Sequence, residues 1–244
     1  MAKKIYIAAT DQHRGKTTCT LGIAAAISKL GTRVGYCKPV GQTHILVRGK
    51  MTDKDAVLFE DILQFEVEPE IHSPVVIGSG VTAEFIKNPD DFDFEGQLRH
   101  AADYLESKHE VIVYEGTGHA GVGSIIGFSN AQVAKLLDAE VIIIIGGGIG
   151  RAFDRLNLNL SLFREQGVSV KGVIINKVHV DKIEHVRFHM SKKLEQSGIP
   201  LLGVLPFDKR LSFPLMATVK KSINGKVLLH GHMLNIRVEE ILAG

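Results

Sequence analysis

Ala9-Thr10-Asp11-Gln12-His13-Arg14-Gly15-Lys16-Thr17-Thr18 is the stretch that decides the fold. It lies between a short apolar run, Ile5 to Ala9, and a helical pattern that starts near Lys16. That context reads as a strand, a tight anion-binding loop and a helix N-terminus. A phosphate in such a loop meets unpaired backbone N–H groups and the positive end of the helix dipole. Lys16 adds a point charge, the Thr17 hydroxyl is a ligand for Mg2+, and Gly15 lets the backbone come close. Gln12, His13, Arg14 and Thr18 complete the stretch expected to contact a nucleotide. The standard pattern asks for glycine six residues before the lysine, where this chain has Thr10, so the motif is degenerate. A chance Gly-Lys-Thr opening an ordinary helix is the alternative.

Outward from the loop, Leu21, Ala24, Ala25, Ile27 and Leu30 recur at helical spacing, and Gly31 sits where a helix ends. Residues 33–40 read as a second strand running into a loop, stopped by Pro39, with Lys38 at the strand end. In open α/β sheets ligands gather beyond the carboxyl ends of strands, so Lys38 is either part of the loop's site or a surface lysine. Residues 43–51 read as a loop. Thr52 or Asp53 then caps a helix carrying Val57, Leu58, Ile62 and Leu63 inward, with Asp55 in its dipole-favoured first turn. Residues 66–90, rich in Pro, Gly and charge, read as a long connection, a lid or a partner surface. The span 90–108 is a helix with Phe94, Leu98, Ala101, Ala102 and Leu105 as its apolar stripe.

Val111-Ile112-Val113-Tyr114-Glu115-Gly116-Thr117-Gly118-His119 places a carboxylate at the carboxyl end of a buried parallel strand. Glu115 beside a phosphate is repulsive unless a cation lies between them, and Mg2+ accepts such a ligand set. His119, in a glycine-rich loop, either contacts substrate or stands idle. A helix over 130–137 precedes the strand 141–145, which runs into Gly146-Gly147-Gly148. Arg151 after it either clamps an anionic substrate or forms a salt bridge. A helix over 153–166 leads to a strand over 170–178 that carries Asn176 near its end. In the helix 181–197, His185 and His189 share a face, but no third ligand is indicated, so this is a solvated face. The strand 201–205 ends at Pro206. Six βα units without an internal repeat, joined by right-handed crossovers, make a doubly wound, mostly parallel sheet in a three-layer α/β/α arrangement.

Composition agrees with one globular domain and a small appendage, 1–207 and 208–244, at 45% hydrophobic and 23% charged residues. The formal charge of +2 without a basic run gives no reason to expect nucleic acid, and the most apolar run is too short for a bilayer. The N-terminus lacks the pattern of a secretory signal, which makes cytoplasm the default. Cys19 and Cys37 have no metal or disulfide spacing and read as reduced core thiols.

The loop resembles the Gly-Thr-Asp-x-x-x-Gly-Lys-Thr element of dethiobiotin synthetase, whose first glycine falls where Ala9 stands here. Lys38-Pro39-Val40 is similar to that family's Lys-Pro-Val element, and Asp55-Ala56-Val57-Leu58 to its Ser-Asp-Ala-Leu element. Glu115-Gly116-Thr117-Gly118 resembles its Glu-Gly-Ala-Gly and the Glu-Gly elements of the cobyrinic acid a,c-diamide synthase group. The resemblance covers about residues 3–207. It implies a P-loop NTPase fold, ATP and Mg2+ as cofactors, and a small-molecule substrate. It further implies Lys16 and Lys38 on the phosphoryl group, Thr17, Asp55 and Glu115 around the metal, Asn176 on the nucleobase and Pro206 at the nucleoside pocket. Such proteins often pair, so a homodimer is expected. The implied reaction is ATP-dependent activation of a carboxylate or carbamate. The residues after 207 resemble the opening of the DRTGG-type module of phosphotransacetylase-like proteins, which implies instead a nucleotide-binding regulatory role.

Overall fold

The computed structural model describes residues 2–229 and 231–239 and divides the chain into two compact units, Met1–Leu205 and Pro206–Gly244. In the first unit the apolar runs become the middle of a sheet. β1 (Lys3–Ala9) feeds the phosphate-loop stretch and α1 (Lys16–Lys29), whose end is marked by Gly31 at φ 82°. β2 (Val34–Cys37) and β3 (Val40–Gly41) flank Lys38 and Pro39, and β3 pairs outside the main sheet.

Residues 43–51 are not the loop expected from sequence. They form an antiparallel hairpin of β4 (His44–Val47) and β5 (Lys50–Asp53). Its two-residue turn is Arg48-Gly49, both at positive φ, the condition for a turn that matches strand twist. The hairpin is mostly exposed, so it lacks the alternation that a half-buried strand shows. α2 (Lys54–Leu63) follows, capped by the Asp53 carboxylate accepting from the Asp55 N–H at 3.0 Å. Its buried face is Ala56 and Phe59 rather than Leu58 and Ile62, which are exposed. Leu30, assigned to the inward stripe of α1, is exposed as well.

The stretch 66–90 holds short elements instead of a bare connection: α3 (Pro69–His72), β6 (Val75–Val76) and α4 (Val81–Lys87). α5 (Phe94–Lys108) buries all five residues of its expected stripe. β7 (Val111–Glu115), α6 (Asn130–Leu136), β8 (Glu140–Gly146), α7 (Gly150–Glu165), β9 (Val170–Val178), α8 (Ile183–Glu195) and β10 (Leu201–Pro206) complete the alternation.

The main sheet has the order β10-β9-β8-β1-β7-β2, with parallel pairing of β1 to β7 and β8, of β2 to β7 and of β8 to β9. Tyr6 and Ala8 of β1 enter one core with Leu98 and Leu105 of α5 and Leu156 of α7. Ile7 and Ala9 enter the other core with Ala24 of α1 and Phe59 of α2. Both faces of the sheet are thus covered, which is why β1, β7 and β8 read as continuous apolar runs. From β1 the chain leaves toward β2 on one side and later toward β8 on the other. Beyond the carboxyl end of β1 lies the crevice where such sheets bind ligands.

The end of α3 and Ser73 after it support that crevice. The Lys38 N–H donates to His72 O at 2.8 Å and the Asp53 N–H donates to Ser73 Oγ at 2.9 Å. His72 is buried, stacks on Phe65 at 4.3 Å between ring centroids, and its Nδ1 lies 2.9 Å from the Glu68 N–H. Burial pushes its pKa below the usual histidine value, against the pull of Glu68. The unfolded chain therefore takes up a proton at a higher pH than the folded one, so stability is lost as pH falls below the ordinary histidine value. Melting temperature measured from about pH 7 to about pH 5 is expected to fall more steeply for the native chain than for His72→Phe.

In the second unit a short turn of 3-10 helix, Lys209–Ser212, precedes α9 (Met216–Ser222), and Leu215 bridges Arg237. His230 and residues 240–244, part of the tail singled out in the sequence, lie outside the described residues. Among the described residues no helix is long and apolar enough to cross a membrane.

Candidate functional site

The loop between β1 and α1 is held from below by β9. Asn176 Nδ2 donates to Arg14 O at 2.9 Å and Lys177 Nζ donates to His13 O at 2.8 Å, so two successive loop carbonyls are tied to the end of one strand. Gly15 sits at φ 78°, and a Cβ there would collide with the Asn176 amide nitrogen. Glycine is required twice over, for the left-handed backbone and for the space. α1 has no acidic residue in its first turn, which leaves its positive end to an external anion. Gly15→Ala is expected to weaken nucleotide binding at least about tenfold, since the left-handed strain alone costs about 1–2 kcal/mol before Asn176 is displaced. A titration with a fluorescent nucleotide checks this, and unchanged affinity contradicts it.

The charged centre is Glu115, fully buried at the end of β7. Its Oε1 accepts from Thr17 Oγ1 at 2.7 Å and from Lys16 Nζ at 2.9 Å, and Lys38 Nζ lies 3.5 Å away. Its Oε2 accepts from the Tyr36 hydroxyl at 3.2 Å. Lys38, only 4% exposed, also pairs with Asp55 and stands 3.9 Å from Asp53 Oδ1. Asp53 Oδ2 in turn accepts from the Gln42 and Thr43 N–H groups at 3.1 and 3.3 Å. Burial lowers the Lys16 pKa, and the adjacent Glu115 offsets only part of that while Lys38 adds to it. Burial acts on Lys38 too, but Glu115, Asp55 and Asp53 together outweigh it and raise its pKa. Both lysines are close to one carboxylate, yet only Lys38 is held by three.

Lys16, Thr17, Lys38, Asp53 and Asp55 line a cleft of about 380 Å³ together with Gln12, His13, Gly15, Lys54, Thr117 and Lys177, and Glu115 and Tyr36 are buried behind this lining. Of the residues singled out in the sequence, the structure brings together Gln12, His13, Gly15, Lys16, Thr17, Lys38, Asp55 and Glu115. Asn176, 9% exposed, reaches the loop from behind. Arg14 turns aside: its guanidinium pairs with Asp11 at 2.9 Å and lies against Gly146, and Asp11 also pairs with Arg155. Thr18 is exposed and outside the cleft lining. His119 is exposed, accepts at Nδ1 from the Gly121 N–H at 3.2 Å, and borders a neighbouring cavity with Asp11, Arg155 and Leu158. Arg151 is exposed in the first turn of α7, away from both cavities. Pro206 ends β10 and opens the second unit.

Tyr36, Lys177, Asn130 and Asn159 escaped the sequence reading, and Asp53 reads there only as a helix cap. Asn130 Oδ1 accepts from Tyr6 OH at 2.7 Å and from the Thr117 N–H at 2.9 Å, which fixes the turn after Glu115. Asn159 accepts from the Ala120 N–H at 2.7 Å and donates to Thr10 O at 3.4 Å, joining that turn to the phosphate loop. The available signal was a polar residue inside an otherwise buried helical face, at 130 and 159.

The donor set suits Mg2+. Among the described residues no three His, Cys, Asp or Glu side chains converge into a protein-only cage. Mg2+ does not need one, since it is usually held by one or two carboxylates plus phosphate oxygens and water. Glu115 Oε1 and Thr17 Oγ1 are hard oxygen donors facing the loop, and Asp55 stands across Lys38 from them.

The family model described as AAA domain matches residues 3–214. The probable cobyric acid synthase of Methanocaldococcus jannaschii is 24% identical over 239 residues, covering 88% of this chain and 47% of that protein. The ATP-dependent dethiobiotin synthetase of Clostridium kluyveri is 27% identical over 216 residues, covering 84% of this chain and 86% of that protein. The phosphate acetyltransferase of Synechocystis is 22% identical over 244 residues, covering 96% of this chain and 33% of that protein. This chain thus spans about half the length of the cobyric acid synthase and a third of the acetyltransferase. Among solved structures, the MinD cell division protein of Aquifex aeolicus superposes with a TM-score of 0.53 at 15% identity, over 86% of this chain and 85% of that one, a likeness of fold.

Proposed function

Because this chain belongs to the AAA domain family, matched over residues 3–214, we propose that it binds Mg-ATP in the cleft and activates a carboxylate or carbamate by γ-phosphoryl transfer. The observation that carries this reading is the single Glu115 oxygen that meets Thr17, Lys16 and Lys38 at once. A phosphoryl-transfer site needs little covalent chemistry from the protein and much placed positive charge. Two lysines beside a carboxylate that they leave when phosphate arrives supply that charge.

In the proposed reaction a carboxylate oxygen of the substrate attacks the γ-phosphorus, the bond to the β–γ bridging oxygen breaks, and ADP leaves with its electron pair. An amine then attacks the carbonyl carbon and phosphate departs. Lys16 and Lys38 hold the transferring oxygens. Thr17, Glu115 and Asp55 would hold Mg2+, which would supply charge neutralisation at the phosphate oxygens. In this reading Asn176 reads the nucleobase, His119 contacts the substrate, and the working form is a homodimer in the cytoplasm. The dethiobiotin synthetase relative, matched over most of its length, supports ATP-dependent ligation as the class. Phosphate release from Mg-ATP, measured with pools of small acids, amines and bicarbonate, tests it. Stimulation by one pool, with transfer of isotopic oxygen from the carboxylate to the phosphate, is the expected result.

A second reading rests on the acetyltransferase relative, whose match reaches through 96% of this chain and so into the second unit. In it the chain is a nucleotide-binding regulatory module that hydrolyses ATP slowly. Tight nucleotide binding with no stimulation by any pool favours this reading over ligation.

A further inference from the structure

The two oxygens of Glu115 are not equivalent. Oε1 faces the loop, where Thr17 and Lys16 donate to it, while Oε2 points back into the protein at the Tyr36 hydroxyl. Tyr36 lies on β2, two residues before Lys38, and is 1% exposed. Its ring is fixed by a face-to-face stack on Phe59 of α2, with centroids 3.6 Å apart and planes 12° from parallel. α2 is also the helix that begins with Asp53 as cap and carries Asp55 in its first turn. One helix therefore carries the Asp55 carboxylate and packs against the ring whose hydroxyl meets Glu115.

We propose that Tyr36 is a positioning residue for the metal: by occupying Oε2 it keeps the Glu115 carboxylate turned so that Oε1 is presented to the cation beside Thr17. A carboxylate on a single Cγ bond otherwise rotates, and a rotated Glu115 offers the cation no fixed oxygen. Partners that orient a metal ligand typically account for about 10–100-fold in metal affinity when removed. Among the described residues the Tyr36 hydroxyl hydrogen-bonds to Glu115 alone, which accounts for its burial at this place. The inference rests on the Mg-ATP reading of the cleft.

The test compares the native chain with Tyr36→Phe and Phe59→Leu, using a fluorescent ATP analogue titrated first in EDTA and then against Mg2+, alongside melting curves of the nucleotide-free proteins. Tyr36→Phe keeps the stack and deletes only the hydroxyl, so nucleotide affinity in EDTA is expected to stay within about twofold while Mg2+ affinity falls about tenfold. Phe59→Leu lowers the melting temperature through lost packing but keeps the hydroxyl, and its Mg2+ affinity is expected to stay within about threefold of the native chain. Equal Mg2+ affinity in Tyr36→Phe and the native chain overturns the inference, as does an equal loss in both variants, which makes the effect one of packing. Nucleotide binding by the native chain that does not respond to Mg2+ overturns it while leaving a nucleotide site in place. No nucleotide binding in either buffer overturns the Mg-ATP reading itself and the inference with it.

Discussion

Lys16→Met is expected to reduce nucleotide turnover at least about 100-fold, the scale on which a single group aimed at transition-state charge acts, without lowering the melting temperature of the nucleotide-free protein. The second half of that expectation follows from the sign of its pKa shift. Burial, only partly offset by Glu115 at 2.9 Å, holds the folded-state value of Lys16 below that of an ordinary lysine. The unfolded chain therefore keeps this proton more readily than the folded one, and at neutral pH the charged ammonium opposes folding. That cost is relieved only as pH rises through the depressed value toward the ordinary one. Without Lys16, Glu115 still accepts from Thr17 and Tyr36 and stands 3.5 Å from Lys38, so no buried charge is stranded. A lysine that does not stabilise the empty fold is there for what the cleft binds. A clear fall in melting temperature with turnover intact would instead make Lys16 a structural ion-pair partner.

Glu115→Gln is expected to fail on both counts. The amide keeps the shape of the side chain but removes the charge that two lysines share, and loss of one partner from a buried pair typically costs about 3–5 kcal/mol. Lys38 retains Asp55 and Asp53, which limits the damage there, whereas among the described residues Lys16 pairs with Glu115 alone. In the Mg-ATP reading the same change also removes a metal ligand, so turnover drops by at least about 100-fold and is not recovered by excess Mg2+. Denaturant unfolding and a Mg2+ titration of phosphate release separate the two effects. Native stability in this variant would mean that Glu115 carries less of the buried charge than its contacts indicate, and full turnover would remove it from the metal.

The pairing of these two variants shows where sequence reading succeeds. The continuous apolar runs at 5–9, 111–114 and 141–145 announce strands buried on both faces, and the residues that follow them fall at one edge of the sheet by topology alone. The β9 span and the buried stripe of α5 are legible because each repeats one local period over many residues. The β4–β5 hairpin was not, because its exposed strands satisfy their backbone locally and carry no periodic signal, and only the Arg48-Gly49 turn marks it. The short helices between 66 and 90 are each below the length at which a 3.6-residue period can be recognised.

Within the cleft the ends of the elements were readable and the ties between them were not. Lys16, Lys38 and Glu115 stand at strand ends or a helix start, positions that a local pattern identifies. Tyr36 is 79 residues from Glu115 in sequence and Asn159 is 149 from Thr10, so each looks locally like any residue of its strand or helix. Asp53 reads as a helix cap, which it is, and its second task of holding the Gln42 and Thr43 amides beside Lys38 appears only when the hairpin folds back.

Equilibrium titration of the intact chain with Mg-ATP, run beside Lys16→Met, tests the central claim most directly. Saturable binding of one nucleotide per chain with a Kd below about 1 mM, lost in the variant, is the expected result. Saturable binding that Lys16→Met leaves unchanged, or no binding by the native chain, would contradict the assignment of this loop as a nucleotide phosphate site.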